Sequence, residues 1–392
     1  MRLAHLADPH LGFRQFHRLT ERGRNQREVD VATAFTRAVD GVIAERPDVV
    51  VIAGDLFHAV RPTNSAILHA VREFGRLQRA LPDMPIVVIA GNHDTPRSSD
   101  TTSIFGLLHE IGIRVAADAP RRISLPDLDL SILAVPHQAL FETPRIALEP
   151  AGPERHQVLV IHGETPGLFH DDRSLSEPGG AHLSAEDLAG NWSYVALGHY
   201  HVQHKVGTRQ WYAGALDYVS SNPWGELREE RDARLVGKGW LLVDVETGAA
   251  HRRAVEAPRR FIDLRWLDGN DLAAGELDRL IAEAVSEVPG GIGGAVVRQV
   301  VRNVPRAVAR EIDHARIRAW KAEALHFQLD LRRPETGARI IGVGAPGRRQ
   351  TLTEIVESYL ADRDLAPGLA RDRFVERGLE FLAAVDLAGE EG

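Results

Sequence analysis

Apolar runs and amphipathic stretches alternate along the first 250 residues. "DVVVIAG" (48–54), "PIVVIAG" (85–91), "LSILAVP" (130–136) and "VLVIHG" (158–163) are continuous and rich in β-branched residues, the signature of strands covered on both faces. Between the first two, Ile67, Leu68, Val71, Phe74 and Leu77 recur at helical spacing, so 64–79 reads as a helix lying on a sheet. A second helix is expected over 27–47, stopped at Pro47. Alternation of this kind predicts an α/β domain over residues 1–250. Beyond Gly248 the pattern shortens. "FIDLRWL" (261–267), a helical stretch at 271–288, "AVVRQVVRNV" (295–304) and "ALHFQLDLR" (324–332) predict a smaller β-α-β unit within 255–332. Residues 333–350, rich in Gly, Pro and Arg, read as a linker, and 351–388 as amphipathic helices.

Size and composition narrow the chemistry. With 392 residues, 44% of them hydrophobic, the chain can bury more than one core. It has no cysteine, which excludes disulfides, thiolate zinc sites and cysteine nucleophiles; any metal must be held by nitrogen and oxygen. No apolar run approaches the ~18 residues of a membrane span, so a cytoplasmic protein without membrane contact is expected. The formal charge of −8 weighs against coating polyanions by bulk attraction. Residues 1–250 carry 32 acids against 25 bases, and 251–392 carry 23 against 22. The acidity is therefore concentrated where bound cations would offset it.

Five polar motifs follow strand-like runs: "DPH" (Asp8, His10), "GDLFH" (Asp55, His58), "GNHD" (Asn92, His93, Asp94), "HG" (His162) and "GHYH" (His199, His201). In a mainly parallel sheet such strand ends share one edge, so residues distant in sequence meet in one crevice. The pairs Asp8/His10 and His199/His201, two apart, aim at one side in extended chain. Two carboxylates, four imidazoles and an amide suit a pair of first-row divalent ions, and two such ions suit hydrolysis of phosphate esters. Glycines before Asp55, Asn92 and His199 fit tight turns where a side chain would crowd the ions. In "GNHD", Gly91 makes the turn, Asn92 offers an oxygen, and His93 is left to act on a phosphate.

In this order the motifs "DPHLG", "GDLFH", "GNHD", "HG" and "GHYH" resemble the calcineurin-like metallophosphoesterase superfamily, and more closely the SbcD family, the nuclease subunit of double-strand-break repair complexes. The resemblance covers residues 1–250 strongly. It implies a sandwich of two β-sheets flanked by helices, a capping domain (255–332) facing DNA, and C-terminal helices (351–388) that bind an SbcC-like ATPase. It further implies that Asp8, His10 and His201 hold one metal, Asn92, His162 and His199 the other, and that Asp55 bridges them. His93 would donate a proton toward the leaving oxygen or stabilise the phosphorane, His58 would help orient the phosphodiester, and the ions would be Mn²⁺. A homodimer acting on DNA as exo- and endonuclease is the implied function. "WYAGALDYVSSNPWGE" (211–226) departs from the family's Pro-Gly-Ser turn, with Ala213 and Ala215 around Gly214.

Alternative readings share the site. A phosphodiesterase acting on cyclic nucleotides or a protein phosphatase would use the same ligands, but protein phosphatases usually show "GDxxDRG" and "GNHE", unlike the "GDLFHAV" and "GNHD" of this chain. A non-catalytic scaffold predicts gaps among the ligands, and no position lacks its expected residue type. Two arginine-rich stretches, one comprising Arg14, Arg18, Arg22, Arg24 and Arg27 and the other running from Arg298 to Arg318, are either solvated faces or contacts to a nucleic-acid backbone. "SAED" (184–187) fits a helix capping box, and Asp94 either orients His93 or caps the next turn.

Overall fold

The computed structural model describes residues 1–96, 103–142, 146–166, 179–334, 352–361 and 371–379. Two compact units are present, Met1–Arg332 and Arg333–Gly392.

In the first unit, β1 (Arg2–Leu6), β2 (Val49–Ala53), β3 (Ile86–Ile89) and β4 (Arg114–Ala116) form a parallel array. The hairpin β11 (Gly239–Asp244) and β12 (Ala249–Ala254) extends it antiparallel beside β1. A second sheet has the order β5-β6-β7-β8-β10-β9. Its central strands β6 (Leu130–Val135), β7 (His156–His162), β8 (Tyr194–Gly198) and β10 (Gln210–Tyr212) are parallel, while the edges β5 (Arg121–Leu125) and β9 (His204–Gly207) are antiparallel.

Residue alternation explains why the two sheets stack. Val49, Val51 and Ala53 of β2 point into a shared core with Leu130, Ile132, Val158 and Val160, while Val50 and Ile52 face the helices. Those helices are α1 (Gln26–Glu45), α2 (Asn64–Ala80) and α3 (Phe105–Glu110), whose Phe35, Phe74 and Phe105 are fully buried. The far face of the second sheet buries Leu159, Ile161, Leu197 and Trp192 under loops. The expected two-sheet sandwich is thus what the chain forms. Its core strands are buried on both faces, as their unbroken apolar sequence requires. Helix α1 ends two residues before Pro47: Arg46 takes a left-handed conformation (φ 48°), consistent with the steric exclusion of α geometry before proline.

The third sheet lies within 261–331. Strand β15 (Val296–Arg302) pairs in parallel with β16 (His326–Leu331) on one side, and with β13 (Phe261–Asp263) and β14 (Leu267–Asp268) on the other. The single strand expected over 261–267 is therefore broken. Between its halves the Gln299 amide donates to the Arg265 carbonyl at 2.9 Å, taking the place of a ladder partner. Helices α5 (Ala274–Ser286), α6 (Arg306–Glu311) and α7 (His314–Glu323) accompany this sheet, which has its own core around Leu277, Ile281, Val297 and Phe327. "SAED" closes a turn, not a helix: Ser184 N donates to Asp187 Oδ2 at 2.7 Å and Asp187 N to Ser184 Oγ at 3.2 Å.

In the second unit, α8 (Leu352–Ala361) and a helix over 371–379 are described. Nearly all of the linker expected at 333–350, and the end of the helical stretch with Phe381 and Leu382, lie outside the described residues. No described helix is long and apolar enough to cross a membrane.

Candidate metal centre

Every one of the polar motifs sits at a strand end of the sandwich. Asp8 and His10 follow β1, Asp55 and His58 follow β2, Asn92 and His93 follow β3, His162 closes β7, and His199 and His201 follow β8. The two sheets are joined at this edge by buried polar contacts. His162 Nδ1 lies 2.9 Å from the Ala53 carbonyl, and His199 N donates to both Asp8 oxygens at 3.1 Å. Because a carbonyl only accepts, His162 Nδ1 carries a proton, which turns Nε2 inward.

The ligand atoms of Asp8, His10 and His201 lie within 4.8 Å of one another, and so do those of Asp55, His162 and His199. All six residues are buried. The two groups touch where His10 Nε2 comes 3.6 Å from Asp55 Oδ2. Asn92 Oδ1 joins the second group at 2.8 Å from His162 Nε2 and 3.1 Å from His199 Nδ1. His10, His58 and His93 form a third cluster: His10 Nδ1 is 3.1 Å from His58 Nδ1, and His93 stacks on His58 with ring centroids 4.9 Å apart. His93 Nδ1 faces the His58 carbonyl at 3.2 Å, and its backbone N–H donates to Asp55 Oδ1 at 2.8 Å.

The buried groups shift one another strongly. Asp55 is held well below the usual carboxylate range: burial works to raise it, but His162, His10 and His93 outweigh burial. His162 is pushed up to about 10, since Asp55, Asp8 and the Ala53 carbonyl overcome the burial that would lower it. His10 and His199 are held far below their ordinary value by burial and stay neutral. Asp8 is pushed up to about 7 by burial, with His162 and His201 opposing. The neutral His10 and His199 and the ionised Asp55 are already in the protonation states that metal ligands need, whereas His162 and Asp8 would release protons on binding an ion. Asp55 Oδ2, His10 Nε2 and His199 Nε2 are buried and make no hydrogen bond. Such atoms are costly to bury unless something occupies them, and a nitrogen and oxygen set fits a divalent ion.

The backbone is bent to bring the donors together. Asp8 (φ 51°), His10 (φ 46°), Asp55 (φ 47°) and His199 (φ 111°) are all left-handed, conformations that cost about 1–3 kcal/mol each in an ordinary setting. The glycines before Asp55, Asn92 and His199 serve close approach. A Cβ at Gly91 would come within 2.7 Å of the Asp55 carboxyl carbon, and one at Gly198 within 2.9 Å of both the Ala53 carbonyl carbon and His162 Nδ1. Of the three motif glycines only Gly54 (φ 91°) combines that crowding with a left-handed turn.

Residues 1–203 match the family profile described as calcineurin-like phosphoesterase. The chain belongs to that family. It is also similar to proteins named DNA double-strand break repair protein Mre11. That of Methanococcus maripaludis is 27% identical over 69% of this chain and 71% of its own length. Those of Sulfolobus acidocaldarius and Sulfurisphaera tokodaii are 29% and 30% identical, each over 62% of this chain, which spans 60% and 59% of their length.

As a calcineurin-like phosphoesterase, the chain carries a donor set suited to divalent metals at the edge where the matched segment ends its strands. Sequence reasoning missed what stands behind that set. Glu226 and Lys238, both buried, back His201; nothing in the linear sequence joins positions 201, 226 and 238. Buried His137 places Nδ1 3.4 Å from the His162 carbonyl. Asp94 clamps the turn, accepting from Gly91 N at 2.7 Å and Phe57 N at 3.1 Å, and does not hold the His93 ring through these bonds. Much of the first arginine stretch is structural. Arg27 is buried on Asp30 and Asp217, Arg14 pairs with Glu28, and Arg18 donates to the carbonyls of Lys321, Ala322 and Ala324. Arg298 likewise grips Asp263 with two bonds of 2.9 and 2.7 Å.

Proposed function

We propose that this phosphoesterase is a DNA nuclease of the double-strand-break repair type, cutting phosphodiester bonds exo- and endonucleolytically with two Mn²⁺ ions. The supporting observation is the meeting, at one edge of the sandwich, of two buried donor trios whose nearest approach is at Asp55. In this reading Asp8, His10 and His201 would hold one ion and Asn92, His162 and His199 the other, with Asp55 placed to serve both. When bound, the pair lowers the pKa of coordinated water and stabilises charge on the attacking and leaving oxygens.

The chain's own residues supply the rest. The His58 carbonyl fixes the Nδ1 side of His93, so Nε2 is the nitrogen that delivers a proton to the leaving oxygen. His58, stacked on His93, orients the phosphodiester. Residues 255–332 act as a cap toward DNA, 333–350 as a linker, and 351–388 as the docking segment for an SbcC-like ATPase, with the nuclease a homodimer in the cytoplasm. The similarity to proteins named for double-strand break repair favours DNA over the alternatives. A phosphodiesterase for cyclic nucleotides keeps the same site and is the second reading.

The deciding experiment incubates the purified chain with linear DNA and Mn²⁺, with EDTA and a His93→Ala variant as controls, and in parallel with cyclic nucleotides. DNA cleavage that needs Mn²⁺ and His93 is expected. Rapid hydrolysis of a cyclic nucleotide with DNA left intact would transfer the assignment to the second reading.

A further inference from the structure

Behind the candidate centre lies a second, buried charge cluster that the nuclease reading does not use. It is built on α4 (Pro223–Asp232), which ends the "WYAGALDYVSSNPWGE" stretch. Asn222 caps this helix by accepting from Gly225 N, and Pro223 occupies its first turn, a position where the missing N–H costs nothing. The first turn presents Glu226 inward. Its Oε1 lies 3.5 Å from His201 Nδ1, and its Oε2 accepts from Lys238 Nζ. Lys238 also donates to the His201 carbonyl at 2.9 Å and pairs with Glu230 at 2.9 Å, and Tyr218 Oη donates to Glu230 at 2.7 Å.

His201 is therefore gripped at two points, ring and carbonyl, by one ion pair. Gly214 makes this possible from the other side: Ala215 N donates to the His201 carbonyl at 3.0 Å, and a Cβ at Gly214 would come within 3.1 Å of the same oxygen. This accounts for the glycine at position 214. Lys238 Nζ, buried between Glu226 and Glu230, supplies the countercharge for the buried Glu226 carboxyl. A histidine whose Nδ1 faces a carboxylate presents its other nitrogen as the ligand, with the ring orientation fixed and its basicity raised.

We propose that Glu226 is the positioning residue of His201, its carboxylate turning the ring so that Nε2 serves the ion shared with Asp8 and His10, while Lys238 keeps that carboxylate in place. The proposal rests on the two-ion reading above. It predicts an asymmetry that a merely structural glutamate would not produce, because no ligand of the other ion touches Glu226 in the contacts described.

The test titrates Mn²⁺ into the metal-free full chain by calorimetry and follows coupling between the ions by electron paramagnetic resonance, with thermal melting of the same samples. The wild type is expected to bind two coupled ions. Glu226→Gln should weaken one of them by ~10–100-fold, the range for losing a partner of a metal-ligating histidine, and leave the other unchanged. Its resonance should become that of an isolated ion over the intervening concentrations. Glu226→Asp, which keeps the charge opposite Lys238 but shortens its reach, should show a smaller loss at the same ion, and it decides the matter if the glutamine variant does not fold. Two unchanged affinities, or equal weakening of both with a lowered melting point, would overturn the proposal. A wild type that binds no divalent ion would overturn the two-ion reading itself and this assignment with it.

Discussion

Arg27 is fully buried in the first helix, and replacing it with methionine probes what holds the loop ahead of α4. Its Nη1 lies 3.0 Å from Asp217 Oδ2 and 3.1 Å from Asp30 Oδ2, and Nη2 donates to the Tyr218 carbonyl at 2.7 Å. The two carboxylates are not equivalent. Asp30 also receives Arg259 at 2.7 and 3.0 Å and Gln26 at 2.9 Å, whereas Asp217, equally sealed from water, has Arg27 as the one cation in its described ion pairs. Arg27→Met therefore strands one carboxylate and one carbonyl. Breaking a buried pair from one side costs about 3–5 kcal/mol, a large part of the ~5–15 kcal/mol by which domains are stable. Adding Asp217→Asn removes the stranded charge and should recover most of the loss. Burial already raises the Asp217 carboxyl against the pull of Arg27. Without the arginine it rises further and favours the protonated form. A raised carboxyl destabilises the fold at pH above its unfolded value, so the deficit of Arg27→Met should narrow as pH falls from about 7 toward about 5. Urea unfolding of the single and double variants at both pH values reads this directly. A loss under ~1 kcal/mol for Arg27→Met, or a double variant no more stable than the single one, would refute the reasoning, because it would mean that the buried charges relax into water.

Other consequences are as concrete. Gly198→Ala should destabilise by ~1–3 kcal/mol, as overpacking does, and weaken divalent-ion binding, since the added methyl collides with the Ala53 carbonyl and crowds His162; wild-type melting and ion affinity would contradict it. His5 is buried against Tyr194 Oη at 3.0 Å and is lowered to about 3 by burial, partly offset by a Leu197 backbone bond. Its folded form stays neutral while the unfolded chain gains a proton below ~6.5, so stability is complete above that value and falls by up to ~1.4 kcal/mol per pH unit below it. His5→Asn should flatten this acid limb in denaturation measured against pH, and parallel curves would dismiss it. His93→Ala should slow DNA cleavage ~10²–10⁴-fold, the usual share of a general acid, with ion content by elemental analysis unchanged; Asp55→Ala should abolish cleavage.

What could be read in the sequence follows from where information is local. Val49 to Ala53 announces a central strand because each residue is buried on one face or the other, and the polar residue that follows such a run has to sit at the sheet edge. Asp55 and His162 are legible for that reason although 107 positions separate them. The edges of the sandwich are less legible. "FIDLRWL" carries strand composition throughout, yet it is interrupted where Gln299, more than thirty residues on, bonds the Arg265 carbonyl. The capping-box spacing of Ser184 and Asp187 is satisfied in full by a turn, because a reciprocal side-chain pair needs only one turn of backbone and no helix behind it.

The arginines show the same limit in its sharpest form. Arg14, Arg18 and Arg27 look alike in sequence and end on a carboxylate, three carbonyls at the end of α7, and a buried pair of aspartates. A charged residue's role is set by what reaches it from distant elements, whereas an apolar residue's is set largely by its own periodicity. The left-handed donors extend this reasoning. Asp8, His10, Asp55 and His199 hold a conformation that each would abandon in isolation, and what restrains them comes from elsewhere in the chain: the His199 amide on Asp8, the Asp55 carbonyl on the His10 amide at 2.9 Å, the His93 amide on Asp55. The motifs of His199, Asp55 and His93 each bond a strained residue of another motif, so the left-handed donors of β1 and β2 are braced by contacts between strand ends.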